Sequence, residues 1–506
     1  GIGTYVKAAS ESHAEAGDRT NDAHRVDAEE VRAKVVGEGA NLGLTQKGRI
    51  AYAAAGGRLN TDFIDNSAGV DTSDREVNIK IALGMAERAG RLDRAARNGL
   101  LVEMTDAVAE LVLETNRTQT LALSVAEARG PAELSGQVRL MEALEASGRL
   151  DRQVEHLPDA REVEARKLAG RGLTRPELAV LLAHAKMNLK DALVESPVLE
   201  DPLLQPDLFS AFPEAMRDRF GTEIELHRLR REIIATRLAN SVVNMGGLSL
   251  AHGLAAELAA PLDRVAAAFV AARTLFDLPG LWVTIRSSDL PAPVRLRLYS
   301  EASAAARPLI ADLMRRTGVD SPALLVKRLG HGLRRIGARL DTLLRPEPRA
   351  QVEAVRERLL AEGATEGLAR QIADLHAYSG AVGVVAVASD LALDEAATAE
   401  AYTILGEELM LDWARGQAAQ LRPTDGWERL LASTVVRSFE TVRLELIRKV
   451  TPEGGDPVAA VRVWLGAHDS EASTLLSAMR SGRSSGAPSL AMLAHLAGLS
   501  RNALTA

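Results

Sequence analysis

The 506-residue sequence contains no cysteine. That absence excludes a disulfide framework, thiolate-bound zinc, iron–sulfur clusters and a cysteine nucleophile. Aromatic residues are scarce at 3%, which argues against stacking platforms for single-stranded nucleic acid. Neither sign of charge dominates: 61 Lys and Arg face 68 Asp and Glu, for a formal net charge of −7. So mild an acidic balance gives no reason to expect a nucleic-acid partner. No apolar run approaches the roughly 18 residues that a membrane span needs. The most apolar stretch, Ala381 to Ala388, is far too short. No basic-then-apolar leader opens the chain, so a cytoplasmic location and no membrane partner are expected. P-loop, His-Glu-x-x-His and EF-hand patterns are all missing. His13 and His24 lie near Glu11, Glu15, Asp18 and Asp22, but the cluster reads as a solvated charged face. No metal is expected.

What is present is ordinary globular composition, 46% hydrophobic and 25% charged, in a chain long enough for about three domains of ~150 residues. The first part alternates short apolar runs with Gly-rich turns. Lys34-Val35-Val36 reads as a buried strand ending at Gly37-Glu38-Gly39, and Phe63-Ile64 as another ending at Asn66-Ser67-Ala68-Gly69. Thr45 caps a short helix between them, stopped by Gly56-Gly57. This rhythm predicts an α/β layer of parallel strands, whose sites lie at the strands' carboxyl ends.

Beyond about residue 90 the patterns are helical. Thr174, Pro176 and Glu177 form a strong helix start with a capping box. Leu178, Leu181, Leu182, Ala185, Leu189 and Leu193 then mark one face. A helix from Glu223 to Val243 is predicted to bury Leu226, Leu229, Ile233 and Ile234. Its arginines, Arg228 to Arg237, are interleaved with Glu232 and fit a solvated face better than a nucleic-acid surface. A stripe from Val435 to Val450 is predicted to have Arg443, Glu445 and Arg448 on its wet side.

Three segments could carry chemistry. In Gly1-Ile2-Gly3-Thr4-Tyr5-Val6-Lys7-Ala8, glycines allow close backbone approach and Lys7 offers a cation, although an ordinary turn would look the same. In Val35 to Gly43, three glycines free backbone N–H groups, and Asn41 offers an amide donor and acceptor that could hold a carboxamide. The spacing is not that of a pyrophosphate loop, and Asn41 could instead brace its own turn. In Asp62 to Asn78, a loop leads into a helix start that attracts carboxylates. Ser73 with Glu76 makes a capping box there, so its hydroxyl also has a structural explanation.

The strings GIGTYVKA, VVGEGANLGLTQKGRIAYA and NTDFIDNSAGVDTSDREVNIKI, in this order, resemble the NAD-specific glutamate dehydrogenases of the large-subunit bacterial class. GLTRPELAVLLAHAK, HRLRREIIATRLANSVVNMGG and FDLPGLW extend the resemblance. It covers residues 1 to 285 and, more loosely, the helical remainder. It implies NAD as cofactor, L-glutamate and 2-oxoglutarate as substrate and product, and a homo-oligomer. Gly39, Ala40 and Asn41 would lie at the nicotinamide end of the cofactor. Ser73, with Gly69 and Val70, would lie near the substrate side-chain carboxylate. The family uses Cys where this chain has Thr72 and often His where it has Arg75, which puts a charge beside the expected carboxylate site.

The implied fold is α/β followed by mainly α: the C-terminal part of a Rossmann-like dinucleotide-binding domain plus a large helical region. Residues 1–115 would be the C-terminal part of the NAD-binding catalytic domain, 116–280 a helical region packing on it, and 281–506 a C-terminal helical domain. The resemblance also places the catalytic lysine, catalytic aspartate and dinucleotide fingerprint upstream of Gly1. The chain would then be a fragment, inactive alone and without catalytic residues of its own. The competing expectation is a non-catalytic helical assembly module, with the Val435 to Val450 stripe as its interface.

Overall fold

The computed structural model describes residues 3–315, 321–422 and 426–505, and these are helical almost throughout. They fall into two units, Gly1–Ala267 and Ala268–Ala506. The expected α/β layer is not there. Among the described residues the only strands are β1 (Val6–Lys7) and β2 (Val26–Asp27), a parallel pair with Val6 opposite Val26 and Lys7 opposite Asp27. Isolated bridges join Val6 to Leu44 and Val35 to Arg58. No Rossmann-like sheet is formed among the described residues, and their fold is mainly helical.

The misreading has a local cause. Apolar runs of two or three residues fit a buried strand or a helix turn equally well. Val35 is 67% exposed, and its neighbours bond to one returning segment at an isolated bridge, through Val36 N–H to Arg58 O (2.9 Å) and Arg58 N–H to Lys34 O (3.1 Å). Phe63 and Ile64 lie inside a one-turn helix. With acids at both ends and Asn66 following, that segment's backbone groups are satisfied within a helical turn rather than by strand neighbours.

The first unit's helices begin with α1 (Gln46–Ala54), α2 (Asp62–Asp65) and α3 (Ser67–Arg88). Next come α4 (Arg94–Glu103), α5 (Thr105–Arg129), α6 (Pro131–Ala146), α7 (Ala160–Leu168) and α8 (Arg175–Val194). Thr45 caps α1 as expected, its hydroxyl accepting from Gly48 N–H at 2.9 Å. Gly48 is itself required, because a Cβ there would stand 3.1 Å from the Lys7 backbone. Ala28, Leu44, Tyr52 and Leu59 form a small core beneath the strand pair.

Helix α8 starts with the expected Thr174–Glu177 capping box and a first-turn proline. Its Leu178, Leu181, Leu182, Ala185, Leu189 and Leu193 are all buried. At about 1.5–3 kcal/mol for each large side chain removed from water, this face is a main source of the unit's stability. The helix expected from Glu223 is broken: Gly221–Glu225 and Arg230–Gly246 are separate. Leu226 falls in the break and is 66% exposed.

Every described element of the second unit is a helix. Val435, Phe439, Val442, Leu446 and Ile447 are buried as the stripe predicts. Their helix, Gly426–Val450, packs on Leu490–Thr505 and on Leu411–Gln420 within the same unit. These residues are therefore core of the unit, not a free assembly face. Glu445 and Arg448 are exposed, but Arg443 is 1% exposed, the reverse of its expected position. No single helix among the described residues is long and apolar enough to cross a membrane. Two bent helix pairs pass that test by length and composition, one of them Glu366–Ala377 with Ala381–Asp390.

Candidate functional site

The Gly-rich loop Gly37 to Gly43 is built around a buried carboxylate. Glu38 is 5% exposed. Its oxygens accept from Arg49 Nε (2.6 Å), Arg49 Nη2 (2.9 Å) and Leu44 N–H (3.0 Å). Arg49 comes from α1 and also reaches Asp62 at 3.1 Å. Burial works against the Arg49 charge, but the carboxylates of Glu38 and Asp62 outweigh it and hold its pKa raised. A bidentate pair of this kind fixes geometry as well as charge.

Two acids of α2 tie the loop to the turn that leads into α3. Asp62 Oδ2 accepts from Leu42 N–H at 3.0 Å, and Asp65 Oδ2 from Glu38 N–H at 2.9 Å. Leu42 has φ +64°, which costs a non-glycine residue of order 1 kcal/mol or more. The Asp62 contact, with those of Glu38, holds the backbone in that shape. Asn66, the residue before α3, donates its side-chain amide to Asn41 Oδ1. The NH2 of Asn41 has no protein acceptor among the described residues. From below, Asn116 Nδ2 bonds Ile64 O (2.9 Å) and Gln119 Nε2 bonds Ser67 Oγ (3.0 Å). Arg175 of α8 bonds Asn60 Oδ1 at 2.6 Å.

The expected site residues lie on this scaffold. Gly39, Ala40 and Asn41 are exposed on the loop. Gly69, Val70 and Ser73 are exposed on α3, and Gly69 and Val70, four and three residues before Ser73, share its helix face. The Asn41–Asn66 contact brings the loop to the first turn of that face.

Ser73 is not a helix cap. Helix α3 begins six residues earlier, at Ser67, and the Ser73 hydroxyl donates to Gly69 O at 3.1 Å. The Ser73–Glu76 capping box does not form, and Glu76 pairs with Lys80 instead. Inside a helix the amides a capping box would satisfy already have partners, so the motif has nothing to cap.

Arg75 does not crowd the expected carboxylate site. It is buried, and bonds Asp71 (3.2 Å), Thr115 Oγ1 (2.9 Å), Leu111 O (3.3 Å) and Ala211 O (3.2 Å). It pins α3 to α5 and to the 211 loop. Lys7 is likewise structural: it is buried and paired with Asp27. Gly1 and Ile2 of that first segment lie outside the described residues. His13 meets Arg25, which also binds Asp22 at 2.6 Å. Glu38, Arg49, Asp62 and Asp65 are the positioning residues that sequence reading missed. Their one signal is an unusual density of acids around the glycines.

The loop and the helix face that it meets fall within the first of two family matches. Residues 1–126 match the family described as bacterial NAD-glutamate dehydrogenase, catalytic domain, and residues 170–498 match glutamate dehydrogenase, C-terminal. The NAD-specific glutamate dehydrogenase of Pseudomonas aeruginosa is 40% identical over 434 residues, covering 85% of this chain. That of Halomonas elongata is 38% identical over 487 residues, 93% of the chain, and that of Mycobacterium tuberculosis 36% over 436 residues, 85%. The chain belongs to the glutamate dehydrogenase family. It spans 27%, 29% and 26% of the length of these three relatives. The expectation of a missing catalytic half finds no support, because catalytic-domain sequence matches residues 1–126.

Proposed function

We propose that this chain serves NAD-dependent oxidative deamination of L-glutamate to 2-oxoglutarate and ammonia, in a cytoplasmic homo-oligomer. The observation that carries the reading is the union of the Gly37–Gly43 loop with the start of α3, through Asn41 and Asn66, inside the segment that matches the catalytic domain. NAD supplies the hydride acceptor when bound. The chain's own residues would orient the reactants. Asn41 would offer its NH2 to the carbonyl oxygen of the nicotinamide carboxamide, with Gly39 and Ala40 leaving room for that approach. Ser73 would turn its hydroxyl from Gly69 O toward the substrate side-chain carboxylate, over a floor made by Gly69 and Val70. Residues 1–115 would form the cofactor-facing part and 116–280 the helical region that braces it, a division that the Arg175–Asn60 and Arg75–Ala211 contacts support. Residues 281–506 would act as a further helical domain.

Steady-state reduction of NAD by protein containing these residues tests the assignment. Asn41→Ala should raise KM for NAD about tenfold, the loss of ~1.4 kcal/mol. Ser73→Ala should raise KM for glutamate and leave that for NAD unchanged. Wild-type constants in both variants would overturn the residue roles, and NAD reduction that ignores glutamate would overturn the reaction.

A further inference from the structure

The second unit contains a feature that the dehydrogenase reading does not use. A cavity of about 210 Å3 opens between the helix Pro346–Ala361 and the helices behind it. Its walls are apolar, including Ile336, Leu340, Leu344, Val352, Val355 and Val384. One end is polar, made by Ser379, Tyr402, Asp412, Arg415 and Arg443. An apolar cavity of about 150 Å3 holds benzene. This one therefore has room for a body of about eight heavy atoms.

The two arginines at the polar end differ in how well they are satisfied. Arg415 Nε bonds Glu440 at 2.9 Å, and its Nη2 bonds Ser379, whose hydroxyl in turn donates to Glu440 at 2.8 Å. Arg443 Nη1 bonds Asp412 Oδ1 at 2.7 Å, and the guanidinium lies 4.8 Å from the centre of the Tyr402 ring. Its Nε and Nη2 are buried with no acceptor. A buried guanidinium normally spends its donors, and each one left over carries an uncompensated desolvation penalty. Nε and Nη2 form the side-on edge of the group, two parallel N–H bonds spaced for the two oxygens of a carboxylate. A hydroxyl could satisfy only one of them.

We propose that this cavity is a binding site for a small aliphatic carboxylate, its chain among the apolar walls and its head group on the Nε–Nη2 edge of Arg443. Both atoms are closed off from the cavity as well as from solvent, so binding requires that edge to swing into the cavity that the Arg443 side chain lines. The site is independent of the dehydrogenase reading and stands or falls without it.

Calorimetric titration of the full chain with sodium hexanoate, and with 1-hexanol as the uncharged match, tests the site. Hexanoate should saturate one site, and hexanol should bind at least about tenfold more weakly. Val352→Trp fills the cavity from its half-buried wall without touching the charges, and should lower hexanoate affinity at least about tenfold. Arg443→Met should do the same. If that variant does not fold, because it strands Asp412, then Val352→Trp and the alcohol decide. Equal binding of hexanoate and hexanol, full affinity in Val352→Trp, or no saturation by about 10 mM would each overturn the proposal.

Discussion

The candidate site of the first unit and the charge network of the second use the same pairings in opposite settings. Around Gly37–Gly43 the acids and Arg49 are positioning groups, and the residues they present are exposed. Around Tyr402 the charged groups are themselves the buried content, with Arg443 at 1% exposure and Glu440 held by Arg415 and Ser379. Burial alone would raise the Glu440 carboxyl; the Arg415 guanidinium reverses that and keeps its pKa lowered. Burial pushes the neighbouring Tyr402 phenol up. The first arrangement shapes a surface. The second stores electrostatic cost in a core, where a lost partner leaves a charge with nothing to replace it.

The comparison breaks most visibly at Asp412. Asp412→Ala should destabilise the second unit by about 3–5 kcal/mol, because Arg443 is then buried and unpaired. Replacing both partners, as Asp412→Leu with Arg443→Met, should recover most of that loss. Urea unfolding of the three proteins checks this. A loss below about 1 kcal/mol for Asp412→Ala would show that the network is hydrated and that the contrast with the first unit is false.

Glu38→Gln should cost less, about 2 kcal/mol, since an amide keeps an acceptor but loses the charge that Arg49 faces. Its distinctive effect is local. Hydrogen exchange at the Leu44 and Leu42 amides should accelerate, because their acceptors belong to Glu38 and Asp62. Unchanged exchange at both would mean that the loop is held by its backbone alone.

These two sites also differ in how far the sequence could expose them. Thr45 and the Thr174–Glu177 box were legible because a cap and its target lie three residues apart. The glycines and Asn41 were legible because the loop is contiguous. Arg443 was not: its partner Asp412 is 31 residues away, and helical period alone places it beside Glu445 and Arg448 as a surface charge. The α/β expectation failed for a related reason. Two-residue apolar runs carry no period, and the turn that holds Phe63-Ile64 is tied down by Asn116 on Ile64 O and by Arg175 on Asn60, partners 52 and 115 residues apart. Long-range polar contacts decide what short-range patterns leave open.

A third case lies between the two kinds of site. Lys186 of α8 is pushed down to about 7 by burial. Above the unfolded value of about 10.4 neither state carries the charge. As pH falls from there toward 7, the unfolded chain takes up a proton and the folded chain does not, so stability declines. Below about 7 both are protonated and the full penalty of a buried ammonium remains. Lys186→Met should therefore be more stable than wild type by about 1–3 kcal/mol at pH 6, with the gain shrinking as pH rises toward 10. A gain independent of pH would place the effect in packing rather than charge.

The smallest expected stability effect belongs to Ser73, the residue proposed to meet the substrate carboxylate. Ser73 is exposed, and its hydroxyl does no more in the free protein than bond back to Gly69 O. A serine bonded in this way slightly disfavours a helix interior, and alanine favours it. Ser73→Ala should thus change unfolding free energy by no more than about 0.5 kcal/mol, on the stabilising side. Any loss of glutamate affinity in that variant cannot then come from a damaged scaffold, whereas the same loss in Glu38→Gln could. If Ser73→Ala is both fully stable and kinetically unchanged, the α3 face is only a helix surface, and the loop is left as the sole candidate for ligand contact in this region.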